Sequence, residues 1–183
     1  MLLLFFASAL FAGAPNWCSY APNKMIFPVS FARVDFSAIC RIHDICYFTI
    51  GQTKYSCVRH FLKTFRNTCR DRFGSWAHTV QRNECLAFAE IYHEGLISGL
   101  HNIDRRSFNS AQNESQTVLA RLNGESLSLK TIDLVNKTAL LMAEYEARGH
   151  KPENAIEFTV QEILKYRNPS EKKLFVYDDL LKN

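Results

Sequence analysis

Apolar positions recur at helical spacing through most of this chain. Val58, Phe61, Phe65 and Cys69 fall three and four residues apart, with Arg59, Lys63, Arg66 and Arg70 between them. That spacing predicts a helix over about 56–70 with an apolar inner face and a basic outer one. A further helix opens near Cys85, with Ala89, Tyr92 and Leu96 along its inner stripe. Ile132, Val135, Ala139 and Met142 trace another apolar face, and Gly149 followed by Pro152 punctuates the chain after it. Pro152 suits a first helical turn, with Ile156, Val160, Ile163 and Leu164 behind it and Pro169 as a stop. Upstream, Cys40, His43, Asp44 and Tyr47 lie at i, i+3, i+4 and i+7 and share one helix face. The pattern predicts an all-α protein.

Composition narrows the class. The chain has 183 residues, 47% hydrophobic and 22% charged, which excludes a disordered tail, a collagen-like repeat and a large multidomain enzyme. The first apolar run, Met1 to about Phe11, is too short for a transmembrane helix. Met1 to Phe6 followed by Ala7, Ser8, Ala9, Ala12, Gly13 and Ala14 reads as a signal peptide over 1–14. All six cysteines lie between Cys18 and Cys85, the usage of disulfides in an oxidising compartment. Both features predict a secreted protein. Asn113-Glu-Ser115 and Asn136-Lys-Thr138 are glycosylation acceptors that agree with it.

Charge divides the chain. Residues 16–112 hold 12 Lys and Arg against 7 Asp and Glu, a balance of +5; residues 113–183 hold 10 against 11, a balance of −1. The change falls in the polar stretch 109–116. This predicts a cysteine-stapled unit over 15–112 and a helical C-terminal extension over 113–183.

The segment Cys40-Arg-Ile-His43-Asp44-Ile-Cys46-Tyr47 carries the chemistry. An imidazole, a carboxylate and a phenol on one buried face destabilise it unless partners satisfy them. With Gly51, Lys54, Cys57, Phe61, Cys69, Cys85, Ala89, Tyr92 and the ending Phe108-Asn-Ser-Ala-Gln112, this half resembles the secreted phospholipase A2 family, in its compact form. The resemblance spans about 18–112 and implies a disulfide-stapled helical core. It implies that His43 is the general base taking a proton from water and that Tyr47 supports the hydrogen-bond network behind it. It implies that Asp44 holds a calcium ion with loop carbonyls, here those of Trp17, Ser19 and Ala21. It implies the pairs Cys18–Cys40, Cys46–Cys57 and Cys69–Cys85. Imidazole is a usable base at neutral pH, and calcium requires oxygens beyond one carboxylate.

Two positions depart from the family pattern. Where the family carries an aspartate that orients the histidine, this chain has Val58. Around Cys18, where the family loop is rich in glycine, residues 16–24 contain none, and with it the backbone freedom that curls a loop round an ion is absent. Calcium binding is therefore expected to be weak. Asp35, Glu84 and Glu90 are the other candidate carboxylates for His43. The bland alternative is a buried His43–Asp44 pair that only knits helices together.

His60, His78, His93, His101 and His150 form no ligand spacing, so no zinc site is expected. No nucleic-acid motif is present. Arg59, Lys63, Arg66 and Arg70 offer a stripe for an anionic phospholipid surface, or simply a solvated face. Trp17, Phe27 and Phe31 suit either an interfacial rim or the core. The expected function is slow, calcium-dependent hydrolysis of the phospholipid sn-2 ester. The alternatives are a non-catalytic lipid- or receptor-binding protein on the same scaffold, and a small secreted structural protein.

Overall fold

A computed structural model describes residues 17–18, 24–98 and 108–167. The 1–14 leader, Ser19, Ala21, His101 and the segment 168–183 with Pro169 lie outside the described residues. The chain enters through an antiparallel hairpin, β1 (Lys24–Ile26) and β2 (Arg33–Asp35), with Met25 opposite Val34. Among the described residues six helices follow: α1 (Ser37–Phe48), α2 (Lys54–Arg72), α3 (Thr79–Ile97), α4 (Phe108–Leu122), α5 (Thr131–Ala147) and α6 (Pro152–Leu164). A short 3-10 turn, Trp76–His78, leads into α3. The helical expectation holds, with the small hairpin added to it.

α2 follows the predicted periodicity. Val58, Phe61, Phe65 and Cys69 are buried, and Thr53 and Ser56 close a capping box at its start. Phe65 meets Phe36 with ring centroids 4.1 Å apart, at the centre of an aromatic core that includes Phe27, Phe61, Phe88 and Tyr92. α3 opens at Thr79, nearly two turns before the expected start at Cys85. Its first residues, Thr79 to Glu84, show no apolar periodicity, and the 3-10 turn launches them instead.

The polar stretch 109–116 is helical. It forms the first half of α4, which packs against α1, α5 and α6. The last carbonyls of a helix lack intrahelical partners, and α4 supplies them for α1. Gln112 Nε2 donates to the carbonyls of Tyr47 at 2.6 Å and Thr49 at 2.9 Å, and the buried Ser115 hydroxyl donates to Phe48 at 2.7 Å. Ser115→Ala should therefore cost ~1–3 kcal/mol by stranding a buried acceptor, read as a lower urea midpoint at unchanged slope.

In α5, Val135, Ala139 and Met142 are buried as expected, whereas Ile132 is exposed in the first turn. Gly149, at φ 81°, ends the helix. Its N–H donates to Glu146 and that of His150 donates to Tyr145, a pattern that favours glycine in the left-handed position. α6 begins with Pro152 and buries Ile156, Val160 and Ile163, with Leu164 partly buried. Asn113 and Asn136 are exposed on α4 and α5, but the hydroxyl residues of their triplets, Ser115 and Thr138, are buried. Neither triplet is presented as an extended loop.

Candidate functional site

Three disulfides fix the site: Cys18–Cys40, Cys46–Cys57 and Cys69–Cys85. This is the pairing that the family resemblance implies. The first two hold α1 near its start and its end, tying it to the loop before the hairpin and to α2.

Between those anchors His43 is 6% exposed. Its ring lies 4.2 Å from that of Tyr47 and 5.1 Å from that of Phe61. Nδ1 is 3.7 Å from Asp44 Oδ1, too long for a hydrogen bond. The Asp44 side chain keeps 21% of its exposure and so stands at the rim of the site. Tyr47 is buried against Phe108, at 5.4 Å in an edge-to-face contact. Across the site, Tyr92 donates from its hydroxyl to the Cys18 carbonyl at 3.0 Å. Arg41 places its guanidinium 5.2 Å above the Trp17 ring, within cation–π range. The structure thus gathers His43, Asp44, Tyr47 and the Trp17–Cys18 loop at one place.

Val58 is buried on the face of α2 that carries Phe61, one turn earlier. It also forms part of the floor of a groove of about 620 Å³ between the start of α2 and the end of α3. His93 borders that groove, and its Nδ1 lies 3.9 Å from Glu94.

The other candidate carboxylates for His43 are engaged elsewhere. Asp35 accepts from the Ser37 N–H at the start of α1 at 2.9 Å, and the hydrogen bonds to Ser37 hold its carboxyl below the ordinary range. Glu90 binds Arg66 at 2.6 Å. Glu84 accepts from the backbone N–H groups of Val29 at 2.8 Å and Ser30 at 3.0 Å, clamping the hairpin tip to α3. Its bond to Ser30, together with that to Val29, lowers its carboxyl below the usual value. The clamp is therefore complete above the ordinary carboxylate range and is lost as pH falls through the depressed value. No spacing signal points to this clamp in the sequence.

The basic stripe is incomplete as a free surface. Arg59, Lys63 and Arg70 are exposed, but Arg66 is half-buried and held by Glu90. Of the candidate rim, Phe31 is exposed and Trp17 half-buried, while Phe27 is 2% exposed and belongs to the core. Phe27 takes the core alternative: its ring packs among Phe36, Phe73 and Phe88.

Of the calcium ligands that the resemblance implies, Asp44 and Trp17 are among the described residues. Among the described residues no three His, Cys, Asp or Glu side chains gather to hold a metal. An ion here depends on backbone oxygens from the loop. Among the described residues, too, no helix is long and apolar enough to cross a membrane.

No family model, curated protein or solved structure matches this chain.

The resemblance to phospholipase A2 thus rests on the sequence of 18–112.

Proposed function

We propose that this is a secreted phospholipase A2-like protein that acts on phospholipids, hydrolysing the sn-2 ester slowly in the presence of calcium. The observation that carries the reading is His43, an imidazole buried on a helix tied near both ends by disulfides, with a rim carboxylate beside its Nδ1. In this reading His43 takes a proton from water as the oxygen attacks the ester carbonyl, then returns it to the departing alkoxide. Tyr47, packed on the imidazole, holds its plane. Asp44 and the carbonyls of Trp17, Ser19 and Ala21 are the ligands for calcium, which when bound polarises an ester carbonyl. Val58 offers no acceptor to steady the imidazole, so turnover is slow. The three disulfides support an oxidising compartment.

Fatty-acid release from mixed phospholipid micelles, in calcium and in chelator, tests this. Slow release that chelation and Asp44→Asn both abolish is the expected result. Release indifferent to both would remove calcium from the mechanism.

A second reading, a non-catalytic lipid- or receptor-binding protein on the same scaffold, is favoured by Asp35, Glu84 and Glu90 all being engaged away from His43. Phospholipid binding without any release would decide for it.

A further inference from the structure

The hairpin end of the molecule carries an arrangement that the His43 site does not use. Four large apolar side chains stand in solvent there: Val29 at 70% exposure, Phe31 at 75%, Trp76 at 88% and Val80 at 53%. Their backbones are held together. Glu84 binds the N–H groups of Val29 and Ser30 and lies one turn along α3 from Val80. Phe27, at the base of the hairpin turn, packs on Phe73, and Phe73 packs on His78, the last residue of the turn that carries Trp76. Phe31 sits at φ 55°, a left-handed conformation that a bulky residue rarely adopts. The ring is exposed although the aromatic core lies beneath the same turn. Backbone strain of this kind persists where surrounding contacts enforce it, and it clusters at functional sites.

Beside this patch a groove of about 730 Å³ runs between the hairpin and the last turn of α2. Lys24, Arg33 and Arg72 line it, against the single carboxylate of Asp35, which accepts from Ser37. None of the three cations forms a salt bridge among the described residues. Lys24 lies across the hairpin from Asp35 and attracts its carboxylate, which leaves Arg33 and Arg72 in excess. Exposed aromatic rings beside excess positive charge complement an acyl–headgroup boundary of negative charge.

We propose that the hairpin corner docks the protein on an anionic phospholipid bilayer, with Val29, Phe31 and Trp76 entering the headgroup boundary and Lys24, Arg33 and Arg72 receiving lipid phosphates. This deepens the phospholipid reading and rests on it. It moves the membrane contact from the α2 stripe to the hairpin.

The test uses the full chain carrying His43→Gln, in chelator, so that docking is read without hydrolysis. Phosphatidylcholine vesicles with and without phosphatidylserine are the probes. In a Trp17→Phe background, Trp76 emission should shift to the blue on phosphatidylserine vesicles only. Phe31→Gly removes the ring while suiting the left-handed backbone, so it should lower vesicle co-sedimentation at least about tenfold without lowering thermal stability. Arg33→Glu with Arg72→Glu should lower it by a similar factor. Arg59→Glu with Lys63→Glu should leave it within about twofold, since those side chains lie off the docking face.

Unchanged Trp76 emission, or binding lost only with the α2 pair, would overturn the proposal. So would a dimer in light scattering that Phe31→Gly disperses while vesicles are ignored, which would assign the corner to a second copy of this chain. Docking by the His43→Gln protein, with no hydrolysis by wild type, would retain the corner and sink the enzymatic reading. Hydrolysis that Phe31→Gly and the Arg33, Arg72 pair leave untouched would do the reverse.

Discussion

Val58→Asp should raise sn-2 hydrolysis of mixed phospholipid micelles by about 10- to 100-fold over wild type, part of the roughly 10⁴-fold that an orienting carboxylate supplies in a related His–Asp arrangement. Val58 is buried on the same face of α2 as Phe61, whose ring touches that of His43. On the proposed reading an aspartate there accepts from the imidazole, whereas an isopropyl group accepts nothing. The gain stays partial because the loop at 16–24 has no glycine to shape it around calcium. Adding His43→Gln should return the rate to background. Val58→Asn carries similar bulk without charge and should give at most a small part of the gain. A buried carboxylate that finds no partner destabilises the fold, so melting temperature accompanies the rates. A folded Val58→Asp protein with no gain and normal calcium binding would mean that α2 does not present position 58 to His43.

The Cys69–Cys85 bridge carries a large stability effect for a single link. Both sulfurs are fully buried, and the bond joins α2 to α3 across 16 residues. Closing a loop of that size restricts the unfolded chain by ~3 kcal/mol. Replacing both cysteines by serine should lower the melting temperature by about 6–12 °C, with two new hydroxyls in the core adding to the loss. The helices themselves should persist in far-ultraviolet dichroism, because packing of Phe61 and Phe65 against Phe88 and Tyr92 does not depend on the bond. An unchanged melting temperature would mean that the α2–α3 pair is as restricted in the unfolded chain as in the folded one.

Where burial follows helical period, the sequence is readable. The inner face of α2 and those of α5 and α6 come directly from apolar spacing, with Ile132 the exception because it lies in a first turn that nothing covers. Polar residues that serve another element are not readable in this way. Gln112 and Ser115 look like linker composition, yet they satisfy the end of α1 across more than sixty residues of chain. Glu84 looks like a surface charge and is the clamp of the hairpin tip. The hairpin strands are three residues each, too short to show alternation. In the site, the shared face of Cys40, His43, Asp44 and Tyr47 is legible from spacing alone. What surrounds it is not: Phe61, Phe108 and Tyr92 arrive from three separate helices, and period says nothing of which helix packs on which.

The most direct measurement is the position of ester cleavage in a phospholipid labelled at its sn-2 acyl chain, incubated with the wild-type protein and with His43→Gln in calcium. Slow release of the sn-2 label by wild type, and release at background by His43→Gln, is the predicted result. Release that continues undiminished in His43→Gln, or none from wild type on vesicles that it binds, would contradict a working His43 site.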